Sequence, residues 1–277
     1  MYTPTKMSRM DTSNAIGIFD SGIGGLTVAR AVRQLLPQES IIYFGDTAHL
    51  PYGDKSTAAL QAYAIKICNV LLQQNCKVIL MACNSASVAA YDLVKEYVGS
   101  RAKVMNVIEP MINYINDVYA GKNVGLIGTK QTILSNVYKK KVDQLGAGID
   151  LRSLATPLLV PMIEENFFKN SIRAEIIETY LSREELQDID ALILGCTHYP
   201  LIKASIQKFY NTKVEVLDSS EIVASSLKGM LEMHNLTNKT GKVLQKFYVS
   251  DFTQSFETST QLFFGKHVQL THYPLWE

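Results

Sequence analysis

Ile79-Leu80-Met81-Ala82-Cys83-Asn84-Ser85 and Leu192-Ile193-Leu194-Gly195-Cys196-Thr197-His198 repeat one pattern: four apolar or small residues, a cysteine, then polar residues suited to opening a helix. An apolar run that stops on such residues reads as a strand buried on both faces. Similar runs at 15–19, 41–44 and 104–108 precede or follow the first motif, and runs at 124–127, 151–154 and 214–217 accompany the second. Between them, stretches such as 26–36 and 57–74 carry apolar residues at i, i+3, i+4 spacing, as crossover helices over a parallel sheet require. The two series hold register: Gly17 and Gly125 are 108 positions apart, Val104 and Val214 are 110, and Cys83 and Cys196 are 113. Ile16-Gly-Ile-Phe-Asp20-Ser21 likewise faces Val124-Gly-Leu-Ile-Gly128-Thr129. The expected fold is therefore α/β, with two similar parallel-sheet α/β domains related by internal duplication and the active site in the cleft between them. A helix over 221–236, a strand at 243–249, a helix over 253–264 and a strand at 267–271 follow the second series and are assigned to the first sheet. The expected domains are 1–110 with 222–277, carrying Asp20 and Cys83, and 111–221, carrying Glu164, Cys196 and His198.

Composition narrows the function classes. At roughly 150 residues per domain, 277 residues suit two domains, and 47% hydrophobic against 19% charged residues suits a folded core. With 27 Lys and Arg against 26 Asp and Glu, the chain has no charge excess with which to displace counterions, so nucleic acid is not an expected partner. Residues 1–14 are polar, and no apolar run approaches the roughly 20 residues of a membrane span. Neither a leader nor a membrane partner is expected, and the location read from this is cytoplasmic. The four cysteines form no CxxC or regular framework, which in a reducing compartment favours catalysis or burial over disulfides.

In open parallel sheets ligands bind beyond the carboxyl ends of the strands, where Cys83 and Cys196 are expected. A helix starting after each thiol would favour the thiolate and lower its pKa from about 8.5. Cys68 and Cys76 sit in or near the expected helix over 57–74, away from the strand-end motifs, and read as packing. Asp20-Ser21-Gly22-Ile23-Gly24-Gly25 brings a carboxylate, a hydroxyl and flexible glycines to the same rim, the glycines letting backbone approach a ligand. A dinucleotide loop fits poorly: Thr27 holds the third glycine position, and Asp20 would repel a pyrophosphate. His198 stands two residues from Cys196, and Glu164 is expected to reach it, giving a carboxylate, imidazole and thiol in line. Zinc ligation by Cys83, Cys196 and His198 lacks the usual short spacings, so no metal is expected. His49, His234, His267 and His272 read as surface or structural.

Four segments then carry a specific resemblance: residues 17–25, Asp46-Thr-Ala-His-Leu-Pro-Tyr52-Gly53, Ala82-Cys-Asn-Ser-Ala86 and Gly195-Cys-Thr-His-Tyr-Pro200. Over nearly its whole length the chain resembles the glutamate racemases of the aspartate/glutamate racemase superfamily. The resemblance implies an isomerase that interconverts L- and D-glutamate without cofactor, Cys83 acting on D-glutamate and Cys196 on L-glutamate, and supplies D-glutamate to peptidoglycan and cell-wall biogenesis, hence cell shape. It implies Asp20, Glu164 and His198 as auxiliaries, and Ser21, Tyr52, Gly53, Asn84, Ser85, Thr129, Thr132 and Thr197 as substrate contacts beside Asp20 and His198. Where the family usually has threonine, Ser85 keeps the hydroxyl and loses a methyl. Two bases on opposite faces suit racemisation, because a proton leaves one side of a planar intermediate and another arrives on the other. Alternatives are a racemase of aspartate or another small amino acid, a cysteine hydrolase, and an amino-acid-binding module. A homodimer is compatible with all of them.

Overall fold

The computed structural model describes residues 11–164 and 170–277, so most of the polar 1–14 stretch lies outside it. In the first half, β1 (Ile16–Asp20), α1 (Leu26–Leu35), β2 (Ile41–Gly45), α2 (Thr57–Gln73), β3 (Val78–Met81), α3 (Asn84–Val98) and β4 (Lys103–Asn106) alternate strand and helix. After α4 (Ile108–Val118) the second half runs β5 (Asn123–Gly128), α5 (Lys130–Leu134), α6 (Val137–Leu145), β6 (Asp150–Ala155), α7 (Leu159–Glu164), α8 (Asn170–Leu181), β7 (Ala191–Gly195), α9 (Lys203–Phe209) and β8 (Glu215–Asp218). The chain returns through α10 (Ser219–Met233), β9 (Gln245–Val249), α11 (Gln254–Phe264) and β10 (Thr271–His272).

Among the described residues the strands form two sheets, ordered β10-β9-β2-β1-β3-β4 and β6-β5-β7-β8, with every pairing parallel. The order β2-β1-β3-β4 is the order β6-β5-β7-β8, so β1 matches β5 and β3 matches β7. The duplication seen in the sequence is therefore one of topology, and β9 and β10 extend the first sheet as expected. In each half the strand order reverses between the first and third strands, the place where an open sheet leaves a crevice for a ligand. The two thiols stand there, one after β3 and one after β7.

Burial explains why these segments became strands and helices. Ile16 and Ile18 of β1 join one apolar cluster while Phe19 joins the other, as the two-residue period of a strand requires. The cluster under Phe19 includes Leu60 and Ile67 of α2 and Val94 of α3. The opposite cluster runs without a break from Leu26 and Val32 of α1, through Met111 and Ile115 of α4 and Val223 and Leu227 of α10, to Leu126 and Ile193 of the second sheet. The halves thus share a core on one side, where α10 packs on α1 and α4.

Some boundaries differ from expectation. β4 ends at Asn106 rather than 108, because the Asn106 side chain accepts hydrogen bonds from the N–H groups of Ile108 and Glu109, each 2.9 Å, and so opens α4. α10 starts at Ser219, where Asp218 accepts from the Ser220 N–H at 2.8 Å. β9 begins two residues later than expected, and the last strand is only Thr271–His272 because the Val268 N–H is bonded to Thr260 of α11 instead. No described helix is long and apolar enough to cross a membrane.

Candidate active site

The carboxyl ends of both sheets open on one pocket. Its wall takes Ser21 from beyond β1, Cys83, Asn84 and Ser85 from beyond β3, Thr129 from beyond β5, and Cys196, Thr197 and His198 from beyond β7. Tyr52 and Gly53 come from a short turn after β2, and Glu164 from the end of α7. Asp20 and Thr132 stand behind this wall. Asp20 is fully buried; its Oδ2 accepts from the backbone N–H of Gly22 at 3.1 Å and of Gly25 at 2.9 Å, and its Oδ1 from the Thr197 hydroxyl at 3.3 Å. Thr132 Oγ1 is 3.0 Å from Thr129 Oγ1, which is 2.9 Å from Ser85 Oγ, so the three hydroxyls form a line that crosses from one half to the other.

The two thiols have different surroundings. Around Cys83, burial and then the charge of Asp20 push the thiol up to about 12, and the Ala86 N–H and the Ser21 hydroxyl offset this only in part. The expected lowering by the α3 N-terminus is thus overturned: exclusion of water and a neighbouring carboxylate outweigh a helix end. The helix expected directly after Cys196 also differs, being a short 3-10 turn over Tyr199–Ile202 before α9. His198 Nδ1 lies 3.7 Å from Cys196 Sγ and its Nε2 2.9 Å from Glu164 Oε1, so carboxylate, imidazole and thiol do stand in line. Burial disfavours a charged His198, but the hydrogen bonds and charges of Cys196 and Glu164 outweigh it and raise its pKa well above the usual histidine value.

Burial likewise raises the Asp20 carboxyl, against the partial offset of His198 and the Gly25 and Gly22 N–H groups. A carboxyl whose folded pKa is raised contributes stability that is complete below its unfolded value and is lost as pH rises through the folded value. Asp20→Asn, whose Oδ1 can keep the two backbone N–H groups and whose Nδ2 can face Thr197, is therefore expected to melt at a higher temperature than the parent at pH 8. The gain should shrink as the pH is lowered toward 4, and calorimetric scans at pH 8, 6 and 4 check it; a gain that grew on acidification would contradict the buried-charge account.

The glycines after β1 serve a purpose other than the expected one. A Cβ on Gly24 would lie 2.5 Å from Cε1 and Nδ1 of His198, and one on Gly25 would lie 2.5 Å from the Asp20 Cβ. They allow protein, and not a ligand, to come close: the first half meets the His198 loop of the second here, and Thr27 Oγ1 donates to the Thr197 carbonyl at 3.1 Å. At the rim Lys130 and Asp54 form an exposed ion pair of 3.4 Å across the halves.

Sequence reasoning missed several supports. Asp46, fully buried, accepts from the Tyr52 hydroxyl (2.6 Å), Ser250 (2.7 Å) and the Trp276 indole (2.7 Å), with His49 Nδ1 at 3.0 Å. Asp46 fell within a recognised motif, but nothing local indicated that Ser250 and Trp276 would close on it. Phe263 of α11 packs edge-on against the His198 ring, and Tyr138 of α6 donates to Asn84. Cys68 and Cys76 are buried, and Cys76 Sγ fills the space over Gly17, as packing residues do. Among the described residues no group of three or more His, Cys, Asp or Glu is arranged to hold a metal ion.

Fold and site together define a duplicated α/β protein with a paired-thiol pocket between its halves. The profile of the Asp/Glu/Hydantoin racemase family matches residues 26–227. Glutamate racemase of Chlorobaculum parvum is 37% identical over 258 residues, covering 93% of this chain and 94% of that protein. The crystal structure of glutamate racemase from Francisella tularensis in complex with D-glutamate superposes with a TM-score of 0.89 at 37% identity, covering 96% of this chain and 99% of the other. That from Thermus thermophilus, in complex with beta-chloro-D-alanine, gives 0.84 at 36%, covering 95% and 98%. The chain belongs to the Asp/Glu/Hydantoin racemase family and, within it, to the glutamate racemases.

Proposed function

We propose that the protein interconverts L- and D-glutamate by moving the α-proton between Cys83 on one face of the substrate and Cys196 on the other. The observation that carries this reading is the pair of thiols at matching strand ends of two like-ordered sheets, both lining one pocket. One sulfur, as thiolate, takes the α-proton and leaves a planar carbanion; the other, as thiol, returns a proton to the opposite face. With L-glutamate, Cys196 is the base and Cys83 the acid. A Cys83 thiol held up to about 12 keeps its proton until the carbanion forms. Protonated His198, tied to Glu164, places positive charge near Cys196 Sγ to balance the thiolate. The hydroxyls of Ser21, Ser85, Thr129 and Thr197 and the amide of Asn84 receive the substrate carboxylates, and the fixed dipoles of the wall stabilise the carbanion.

The aspartate alternative is not favoured, since the relatives at about 37% identity are glutamate racemases. On this reading D-glutamate feeds peptidoglycan synthesis, and the enzyme works in the cytoplasm, where its thiols stay reduced. On the same reading the two domains are 1–110 with 222–277 and 111–221, whose junctions fall in α4 and α10.

Chiral analysis of L-glutamate incubated with the purified protein tests the reading, and a panel of amino acids including aspartate tests its breadth. In deuterated water the first product enantiomer is expected to carry deuterium at the α-carbon while recovered substrate stays nearly unlabelled. The product-face thiol starts with a solvent-derived deuteron, whereas the substrate-face thiol holds the proton it has just taken and returns that one on reversal. Early and equal labelling of both enantiomers would mean a single exchanging base and would overturn the two-thiol reading.

A further inference from the structure

Asn84 opens α3 directly after Cys83, lines the pocket and is 2% exposed. Its Oδ1 accepts a hydrogen bond of 2.7 Å from the hydroxyl of Tyr138, also 2% exposed, which belongs to α6 of the opposite half. Its Nδ2 is buried and has no hydrogen-bond partner among the described residues. A buried amide nitrogen left without a partner costs free energy, and such a group is tolerated where a ligand completes it. Asn84 Oδ1 is the only partner of the Tyr138 hydroxyl among the described residues. Turning the amide over would therefore strip the buried O–H of its acceptor and present a carbonyl oxygen where Nδ2 now stands. Burial raises the Tyr138 hydroxyl further above its usual range, so it remains a donor at every working pH.

We propose that Tyr138 is a positioning residue: its hydroxyl fixes the Asn84 amide with the oxygen turned away, so that Nδ2 is kept as a donor for a carboxylate of the substrate. This rests on the reading of the pocket as a glutamate site. It also makes the donor depend on the two halves being together, because Asn84 and Tyr138 come from different ones. Carboxylates accept hydrogen bonds and do not donate them, so an amide held in this orientation selects for an anionic group where a free amide would present either end.

Tyr138→Phe removes one oxygen and keeps the packed ring. With the hydroxyl gone, the KM for both enantiomers is expected to rise about three- to tenfold, the range of one net hydrogen bond, with kcat within about twofold of the parent. Because the two enantiomers have equal free energy, kcat/KM must fall by one factor in both directions. A residue that only supports the fold would lower the melting temperature and leave KM unchanged. The decisive comparison repeats Tyr138→Phe in an Asn84→Ala background, or in Asn84→Ser should Asn84→Ala not fold. If Tyr138 acts through Asn84, the second substitution adds nothing to KM there. An unchanged KM in the single variant, or a full further rise in the double variant, overturns the proposal. Turnover of glutamate by the parent is measured alongside: its absence would overturn the proposed function itself, whereas normal parent turnover with either of those results overturns only the role of Tyr138.

Discussion

Cys83→Ala and Cys196→Ala are each expected to lower kcat/KM for racemisation by about a thousandfold or more, in both directions alike. General acid–base groups contribute roughly 10²- to 10⁴-fold, and each thiol must be an acid in one direction and a base in the other, so neither loss can be confined to one enantiomer. The equal free energies of L- and D-glutamate impose the same symmetry, since an equilibrium constant of one holds kcat/KM equal both ways however damaged the variant is. Burial does not by itself distinguish these thiols from the other two: Cys83 and Cys196 are 6% and 7% exposed, Cys68 and Cys76 0% and 2%. Position does, because only the first pair lines the pocket. Cys68→Ala and Cys76→Ala are accordingly the controls, expected to lose stability through the void they leave while keeping turnover per folded molecule. Steady-state kinetics by chiral chromatography, with melting curves for all four variants, checks the contrast. Near-normal racemisation by either pocket variant would end the two-thiol assignment.

Gly24→Ala is expected to lower kcat/KM by about a hundredfold, although the added methyl touches no substrate. A Cβ there would sit 2.5 Å from two atoms of the His198 ring and 2.7 Å from Thr197 Oγ1, distances that a side chain must relieve by moving. His198 has little room. Glu164 holds its Nε2 at 2.9 Å, Phe263 closes edge-on with ring centroids 5.4 Å apart, and the ring is almost wholly buried. Any shift that relieves the methyl therefore weakens the contact of Nδ1 with Cys196 Sγ or the bond to Glu164. Misplacing a catalytic group by about 1 Å costs on the order of 10²-fold, which sets the size expected. The test pairs Gly24→Ala with His198→Ala: if the glycine acts by leaving room for the ring, the double variant is no slower than His198→Ala alone. Activity of Gly24→Ala within a few-fold of the parent would show that the ring is not confined as described.

The division between what the chain order states and what folding adds runs through these same residues. Ile79 to Ser85 and Leu192 to His198 carry their strand, their thiol and their following polar residues within seven positions. The alternation of buried strands and helices, the duplication and both thiols were thus legible from neighbours along the chain. Periodicity and turn chemistry are local properties, and the sheet order that follows from them is set by right-handed crossovers between parallel strands. Where local signals competed, boundaries moved by a few residues, as when the Asn106 side chain closed β4 to open α4. The surroundings of the thiols were not legible in this way. Cys83 precedes a helix N-terminus, which by itself lowers a thiol pKa, yet the folded protein raises it, because exclusion of water and the approach of Asp20 are consequences of packing. Gly24 reads as a loop that approaches a ligand, but its neighbour is His198. Tyr138 carries no sequence signal at all, and only the fold brings its hydroxyl on α6 of one half to the Asn84 side chain on α3 of the other. The two strand-end thiols and the architecture that faces them follow from the order of residues along the chain; the protonation of Cys83 and the supporting partners of both thiols come from the folded arrangement, because desolvation and hydrogen bonding depend on distances between residues remote along the chain.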